Sequence, residues 1–260
     1  MYHRPGCGYA PDLVLRKGDE ILLKSSILAL GLDLDGTLLR LSDQFIPQYL
    51  ADVDRWVAPR LAVGHLSNEV MATTMWLVSR NHEDTLLADA FYTHFTERTG
   101  LDPFMVKTVF EQYYSEEFPK LKYLGRPIPG MMGFLAELRA LGLKMALLTS
   151  PLFPRVAIEE RLRWAGIEGV PFDWISCFEI VHASKPHPAY YEEAARQFDI
   201  SPQHWLMVGN DPVEDIRPAR AIGMQTWCVR EELPDDLRDQ VLKGPVYDVL
   251  SYLKSLADQG

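Results

Sequence analysis

From Pro127 onward one unit recurs, an amphipathic helix followed by a short apolar run that ends in polar residues. Met131, Phe134, Leu135, Leu138 and Leu141 share a helix face that Gly142 closes, and Lys144 to Leu148 follows as a strand. Helix 152–165 then precedes a strand near Trp174 to Cys177, helix 188–198 precedes Trp205 to Val208, and helix 213–222 precedes Thr226 to Val229. Strands separated by helices of this length pair in parallel, and a parallel sheet is covered on both faces. One more apolar run, Ile27 to Leu32, stands far upstream and reads as a further buried strand of the same sheet. The expected class is α/β, a Rossmann-like doubly wound parallel sheet.

Between that first strand and the recurring unit, residues 43–118 read as helices. Leu87, Ala90, Phe91 and Phe95 form one stripe, and Asp102 with Pro103 supplies a cap and first-turn pair before Val106, Val109, Phe110 and Tyr113. The expected organisation is an extension at 1–26, a core made of 27–42 and 119–260, and an inserted helical domain at 43–118. Within 1–26, DLVLRKGDEILLK suggests a small hairpin, while His3 and Cys7 have too few companions for a metal site. The aromatics Trp56, Trp76, Phe91, Tyr92, Tyr113 and Tyr114 fall mostly at helical spacing and are expected to pack. The scattered histidines are expected at surfaces or caps.

With 47% hydrophobic and 24% charged residues, the 260-residue chain can bury a core. Its net charge of -10 argues against nucleic acid and anionic lipid as partners. Three widely spaced cysteines suggest no disulfide framework, and neither a signal-peptide core nor a membrane-spanning run is visible. A cytoplasmic location is expected.

Ligands of such sheets bind beyond the carboxyl ends of the strands. The polar residues expected there are Asp33 and Asp35, Thr149 and Ser150, Lys185, and Asn210, Asp211 and Asp215. Carboxylates about 4 Å apart repel by roughly 4 kcal/mol at an effective dielectric near 20, so four acids at one edge call for a cation. An all-oxygen site suits Mg²⁺, and a lysine beside a hydroxyl and free backbone N–H groups suits a phosphoryl group.

DLDGT (33–37), LLTS (147–150), SKPHP (184–188) and VGNDPVED (208–215), in that order, resemble the four motifs of the haloacid dehalogenase-like hydrolase (HAD) superfamily. The resemblance implies Asp33 as the nucleophile that becomes an aspartyl-phosphate, and Asp35 as general acid and base. It implies Thr149, the Ser150 backbone and Lys185 as phosphoryl contacts, with Thr149 and Lys185 counted in the catalytic set. Mg²⁺ would be held by Asp33, the Asp35 carbonyl and Asp211, with Asp215 a ligand or a support.

Asn210 stands where the family often has Asp, which leaves the ligand role open between Asp211 and Asp215. Ser150 stands where Asn is frequent. An acid at position 35 distinguishes the phosphatase branch from dehalogenases, whose halide leaving group needs no proton, and from phosphonate-cleaving relatives, which lack this acid and rely on a cap lysine. The insert at 43–118 takes the place of the family's C1 cap, which closes over the site. The implied activity is Mg²⁺-dependent hydrolysis of a small phosphorylated metabolite. The alternatives are a phosphomutase or phosphotransferase, and a non-catalytic binding protein on the same fold.

Overall fold

A computed structural model describes residues 27–258, so the expected hairpin at 1–26 lies outside the described residues. In chain order, β1 (Ala29–Leu32) and β2 (Leu39–Leu41) precede α1 (Phe45–Asp52), a π-helical turn at Val53–Val57 and α2 (Ala58–Arg60). Then come α3 (Ser67–Val78), α4 (Leu87–Thr99), α5 (Pro103–Glu116), a 3-10 turn and β3 (Gly125–Pro127). The recurring units are α6 (Met131–Ala140), β4 (Lys144–Leu147), α7 (Arg155–Ala165), β5 (Trp174–Ile175), α8 (Pro188–Phe198) and β6 (Trp205–Gly209). After a π-helical turn at Pro212–Ile216, α9 (Arg217–Ala221), β7 (Gln225–Cys228), β8 (Leu242–Lys243) and α10 (Asp248–Asp258) complete the chain.

Six strands form one sheet in the order β5-β4-β1-β6-β7-β8, and every adjacent pair is parallel. β1 is central because all four of its residues are buried and none is polar, a pattern only a strand covered on both sides tolerates. The chain winds outward from β4 to β5 and returns to β6 on the other side of β1, so the order reverses beside β1. That reversal opens a crevice at the carboxyl ends of β1, β4 and β6.

Side chains alternate along β1, so Leu30 and Leu32 join one apolar cluster and Ala29 the other. The first cluster runs without a break from the sheet into the helical segment, through Phe45, Tyr49, Trp56, Phe91, Phe95, Tyr113 and Phe118. Of the aromatics expected to pack, Trp56, Phe91, Tyr113 and Tyr114 are buried. Trp76 and Tyr92 are partly buried against the same cluster. Trp76 stacks on His94 at 3.9 Å between ring centroids. Asp102 caps α5 as expected, accepting from the Met105 N–H at 2.8 Å, and Gly100 ends α4 with a left-handed φ of 68°.

Two helices start differently from expectation. α7 begins at Arg155 rather than 152, because Pro151 and Pro154 disfavour helical backbone in the residues before them. The helix expected at 213–222 opens with the π-helical turn, whose first N–H groups are capped by Asp211.

The helical segment is joined to the core twice over. β2 and β3 pair as a two-stranded antiparallel ribbon at its two ends. Backbone bonds Leu87 N–H to Val181 (2.9 Å), Ala88 N–H to Phe178 (3.0 Å) and His82 N–H to His182 (3.1 Å) tie it to the loop ahead of α8. His187 adds a ring nitrogen 2.6 Å from the Val78 carbonyl. Lys185 lies in that anchored loop. Among the described residues, no helix is long and apolar enough to cross a membrane.

Candidate active site

Asp33 follows the last residue of β1, and its N–H donates to the Val208 carbonyl at 3.0 Å, which continues the sheet pairing by one residue. Its carboxylate is nearly sealed, at 5% exposure. Oδ1 accepts from Lys185 Nζ at 2.8 Å and Oδ2 from Thr37 Oγ1 at 2.9 Å. Leu34 turns back into the core, so Asp35 emerges on the same side as Asp33. Gly36 then turns the chain with φ of 88°, and a Cβ there would sit 2.3 Å from the Asn210 amide nitrogen. Only glycine fits that turn.

Lys185 is 2% exposed and makes a second ion pair, with Asp215 Oδ1 at 2.6 Å. Burial alone would pull its ammonium toward neutrality, but Asp215 and Asp33 outweigh this and lift it well above the ordinary lysine value. Lys185 therefore stays charged. Asp215 is fully enclosed, and its Oδ2 accepts the Asp211 N–H at 2.9 Å. Gly209 makes that packing possible, since a Cβ there would fall 2.3 Å from Asp215 Oδ2.

Asp211, expected near the cation, has Oδ1 accepting the N–H groups of Val213 (2.7 Å) and Glu214 (3.0 Å). It caps the turn that carries Asp215. Asn210, one residue earlier, is the side chain that reaches the first motif. One terminal atom of its amide lies 3.1 Å from the Asp35 carbonyl oxygen and 3.2 Å from Asp33 Oδ2. With nitrogen at that position, the amide donates to both. With oxygen there, the Asn210 amide joins Asp33 Oδ2 and the Asp35 carbonyl as a third oxygen, and the Thr37 hydroxyl reaches it at 3.4 Å and Asp33 Oδ2 at 2.9 Å. Among the described residues, no three His, Cys, Asp or Glu side chains converge as a metal site. A hard cation here would therefore draw on an amide and a main-chain oxygen as well as Asp33, which is the donor chemistry Mg²⁺ accepts.

Thr149, at the adjoining end of β4, is 1% exposed, and its Oγ1 has no hydrogen-bond partner. Its carbonyl is held by Ser176 Oγ (3.1 Å) and Tyr190 OH (2.8 Å), so the residue is fixed while its hydroxyl is left free. A buried hydroxyl without a partner costs about 1–3 kcal/mol, which a ligand oxygen would recover. Ser150 beside it is half-buried.

Arg161 on α7 is absent from the sequence expectations. It is 2% exposed and its Nη1 pairs with Asp35 Oδ2. Burial pushes the Asp35 carboxyl up and Arg161 pulls it down, with burial the larger effect, so the group sits above the usual aspartate value. A helical position among apolar neighbours gives no hint of charge, and the only available signal was an arginine on the buried face of an amphipathic helix.

Beside Ser150, the loop Leu152–Phe153–Pro154 forms one wall of a cavity of about 90 Å³ under the helical segment. Tyr49, Phe91, Tyr92, Tyr114 and Phe178 supply much of the rest, and no charged side chain lines it. The Tyr49 and Tyr114 hydroxyls are 2.9 Å apart and satisfy one another.

Comparison with known proteins gives a family and a fold. Residues 27–223 match the family model described as haloacid dehalogenase-like hydrolase. A glyceraldehyde 3-phosphate phosphatase of Methanothermobacter thermautotrophicus is 31% identical over 58% of this chain and 71% of its own length. A phosphoserine phosphatase of Thermus thermophilus is 31% identical over 54% of this chain and 53% of its own. Haloacetate dehalogenase H-2 of Moraxella is 31% identical over 54% and 60%. Apart from the first, these matches span little more than half of each relative. Among solved structures, a 2-haloacid dehalogenase from Pseudomonas syringae superposes with a TM-score of 0.59 at 19% identity, covering 89% of this chain and all of that one. A HAD phosphatase from Thermococcus onnurineus gives 0.54 at 19%, covering 87% and 98%. At such identity the superpositions speak for the fold. On the family model and the alignments together, the chain belongs to the haloacid dehalogenase-like hydrolases.

Proposed function

We propose that the protein is a Mg²⁺-dependent phosphatase that hydrolyses a small phosphorylated metabolite through an aspartyl-phosphate on Asp33. The observation that carries this reading is the division of the buried Asp33 carboxylate: Oδ1 accepts from the ammonium of Lys185, and Oδ2 lies against the Thr37 hydroxyl and the Asn210 amide. In this reading Oδ2 would help to hold the cation, and Oδ1, beside the Lys185 ammonium, would attack phosphorus. Lys185 offsets charge on the nucleophile and on the phosphoryl oxygens, while Thr149 Oγ1 and the Ser150 N–H hold those oxygens. Asp35 protonates the departing alkoxide and afterwards takes a proton from the water that cleaves the acyl phosphate, a double role worth about 10²–10⁴ in rate.

Asp33 Oδ2, the Asp35 carbonyl and the Asn210 amide oxygen are the groups we assign to Mg²⁺, with Asp211 and Asp215 in support. When bound, the ion neutralises charge that builds on the transferring group. The segment 43–118 acts as the cap. Its uncharged cavity beside Phe153 suits a leaving group that carries little charge of its own. We place the reaction in the cytoplasm.

Phosphate release from p-nitrophenyl phosphate, dependent on added Mg²⁺ and lost in Asp33→Asn, tests the reading. Acid-quenched protein should carry a phosphoryl group on Asp33 by mass spectrometry. Turnover that survives Asp33→Asn removes the nucleophile and the mechanism with it.

A further inference from the structure

Arg161 is costly for stability alone. A guanidinium taken out of water loses several kcal/mol of hydration, and a single carboxylate partner seldom restores it. Here that partner is Asp35 Oδ2, reached across 126 positions of sequence. The Nε and Nη2 groups of Arg161 are buried with no hydrogen-bond partner. The guanidinium carbon lies 4.9 Å from the Phe153 ring centroid and 6.0 Å from that of Phe45, so aromatic faces support it on the sides where polar partners are missing. A leucine or methionine would suit such neighbours better. The residue that benefits from the arginine is Asp35, whose Oδ1 is itself buried and has no partner.

We infer that Arg161 is a positioning residue. It anchors Asp35 by Oδ2, so that Oδ1 is the oxygen that exchanges a proton with the leaving group. The inference rests on the phosphatase reading above. Without the anchor, the Asp35 side chain is free to rotate about its Cα–Cβ and Cβ–Cγ bonds, and the productive orientation becomes one among several. Neither Asp33 nor Lys185 contacts Arg161, so formation of the acyl phosphate should persist wherever the leaving group needs no proton.

The test is the dependence on leaving group in Arg161→Met. Loss of a positioned acid is expected to slow acyl-phosphate formation from an alkyl phosphate such as propyl phosphate, read in single turnover, by about 10²-fold, with the half-saturating concentration little changed. For p-nitrophenyl phosphate, whose phenolate leaves without help, the burst of p-nitrophenolate that reports the same step should slow roughly tenfold at most, while the later hydrolysis slows alike for both esters. In an Asp35→Asn background, the Arg161→Met change should add nothing, because it acts only through that carboxylate. Arg161→Lys keeps the charge but loses the planar fork, and should show the same selectivity to a smaller degree; it serves if the methionine variant does not fold. Equal slowing of acyl-phosphate formation from both esters, additive losses with Asp35→Asn, or a gain on the alkyl ester would overturn the inference. If the unsubstituted protein turns over neither ester, the phosphatase reading itself is lost, which is a distinguishable result.

Discussion

Replacing Lys185 with methionine keeps the length of the side chain and removes the charge between two buried carboxylates. At 2.8 and 2.6 Å, and with an effective dielectric near 20, each ion pair has a gross attraction of about 6 kcal/mol. Much of that is offset by dehydration of the three groups, so the expected net loss is the roughly 3–5 kcal/mol typical of breaking a buried pair from one side. For a chain of this size that is roughly 6–20 °C in melting temperature. The loss should depend on pH in a definite direction. Burial already raises the Asp215 carboxyl, with Lys185 as the main opposing influence, and in the variant only the Asp211 N–H bond still opposes it. The native state then binds a proton that the unfolded chain, with a pKa near 3.9, has released, so variant stability falls as pH rises above about 4. Each unit of raised pKa is worth about 1.4 kcal/mol. Urea unfolding in EDTA at pH 5 and pH 8, with the unsubstituted protein alongside, measures this. A loss as large at pH 5 as at pH 8, or one under about 1 kcal/mol at pH 8, refutes the argument that Lys185 compensates both acids.

Two further outcomes follow from the packing and the charges. Gly209→Ala should destabilise by about 1–3 kcal/mol, and by more than Gly31→Ala, in thermal denaturation. The new methyl of the first would fall 2.3 Å from the enclosed Asp215 carboxylate, whereas that of the second meets the end of a flexible Leu148 side chain at 2.5 Å. At Asp173, burial alone would raise the carboxyl, but bonds from Arg139, the Met145 N–H and Lys144 outweigh it and hold the group at about 2. Because this value lies below the unfolded value of about 3.9, the stability contributed is present above pH 4 and fades as pH falls toward 2. Asp173→Asn should therefore weaken the protein near neutrality and leave it little changed at pH 2, as followed by circular dichroism during acid titration.

The sheet was legible because parallel strands and their covering helices write a two-period pattern into the chain, and β1, β4, β6 and β7 fall within a residue or two of expectation. Lys185 and Asp33, 152 residues apart, meet as a direct pair because both lie at the crevice where strand order reverses. What escaped the sequence were contacts decided by distant partners. Arg161 reads as an ordinary arginine of a charged helix until Asp35 is placed opposite it. Asp211 caps the turn after β6, and Asp215 holds Lys185. The neutral Asn210 is the neighbour that reaches Asp33 and Asp35. Local charge gave no way to separate these three roles.

The ribbon of β2 and β3 clamps both ends of the inserted segment side by side, with Leu39 opposite Pro127 and Leu41 opposite Gly125. Paired strands lie only about 4.8 Å apart, so whatever hangs from them begins and finishes at nearly the same point. A segment attached this way can gain or lose residues between its anchors without shifting the register of the sheet beneath. Insertions placed away from Leu87 and Ala88, whose backbone bonds steady the loop of Lys185, should leave the Asp33–Lys185 pair where it is.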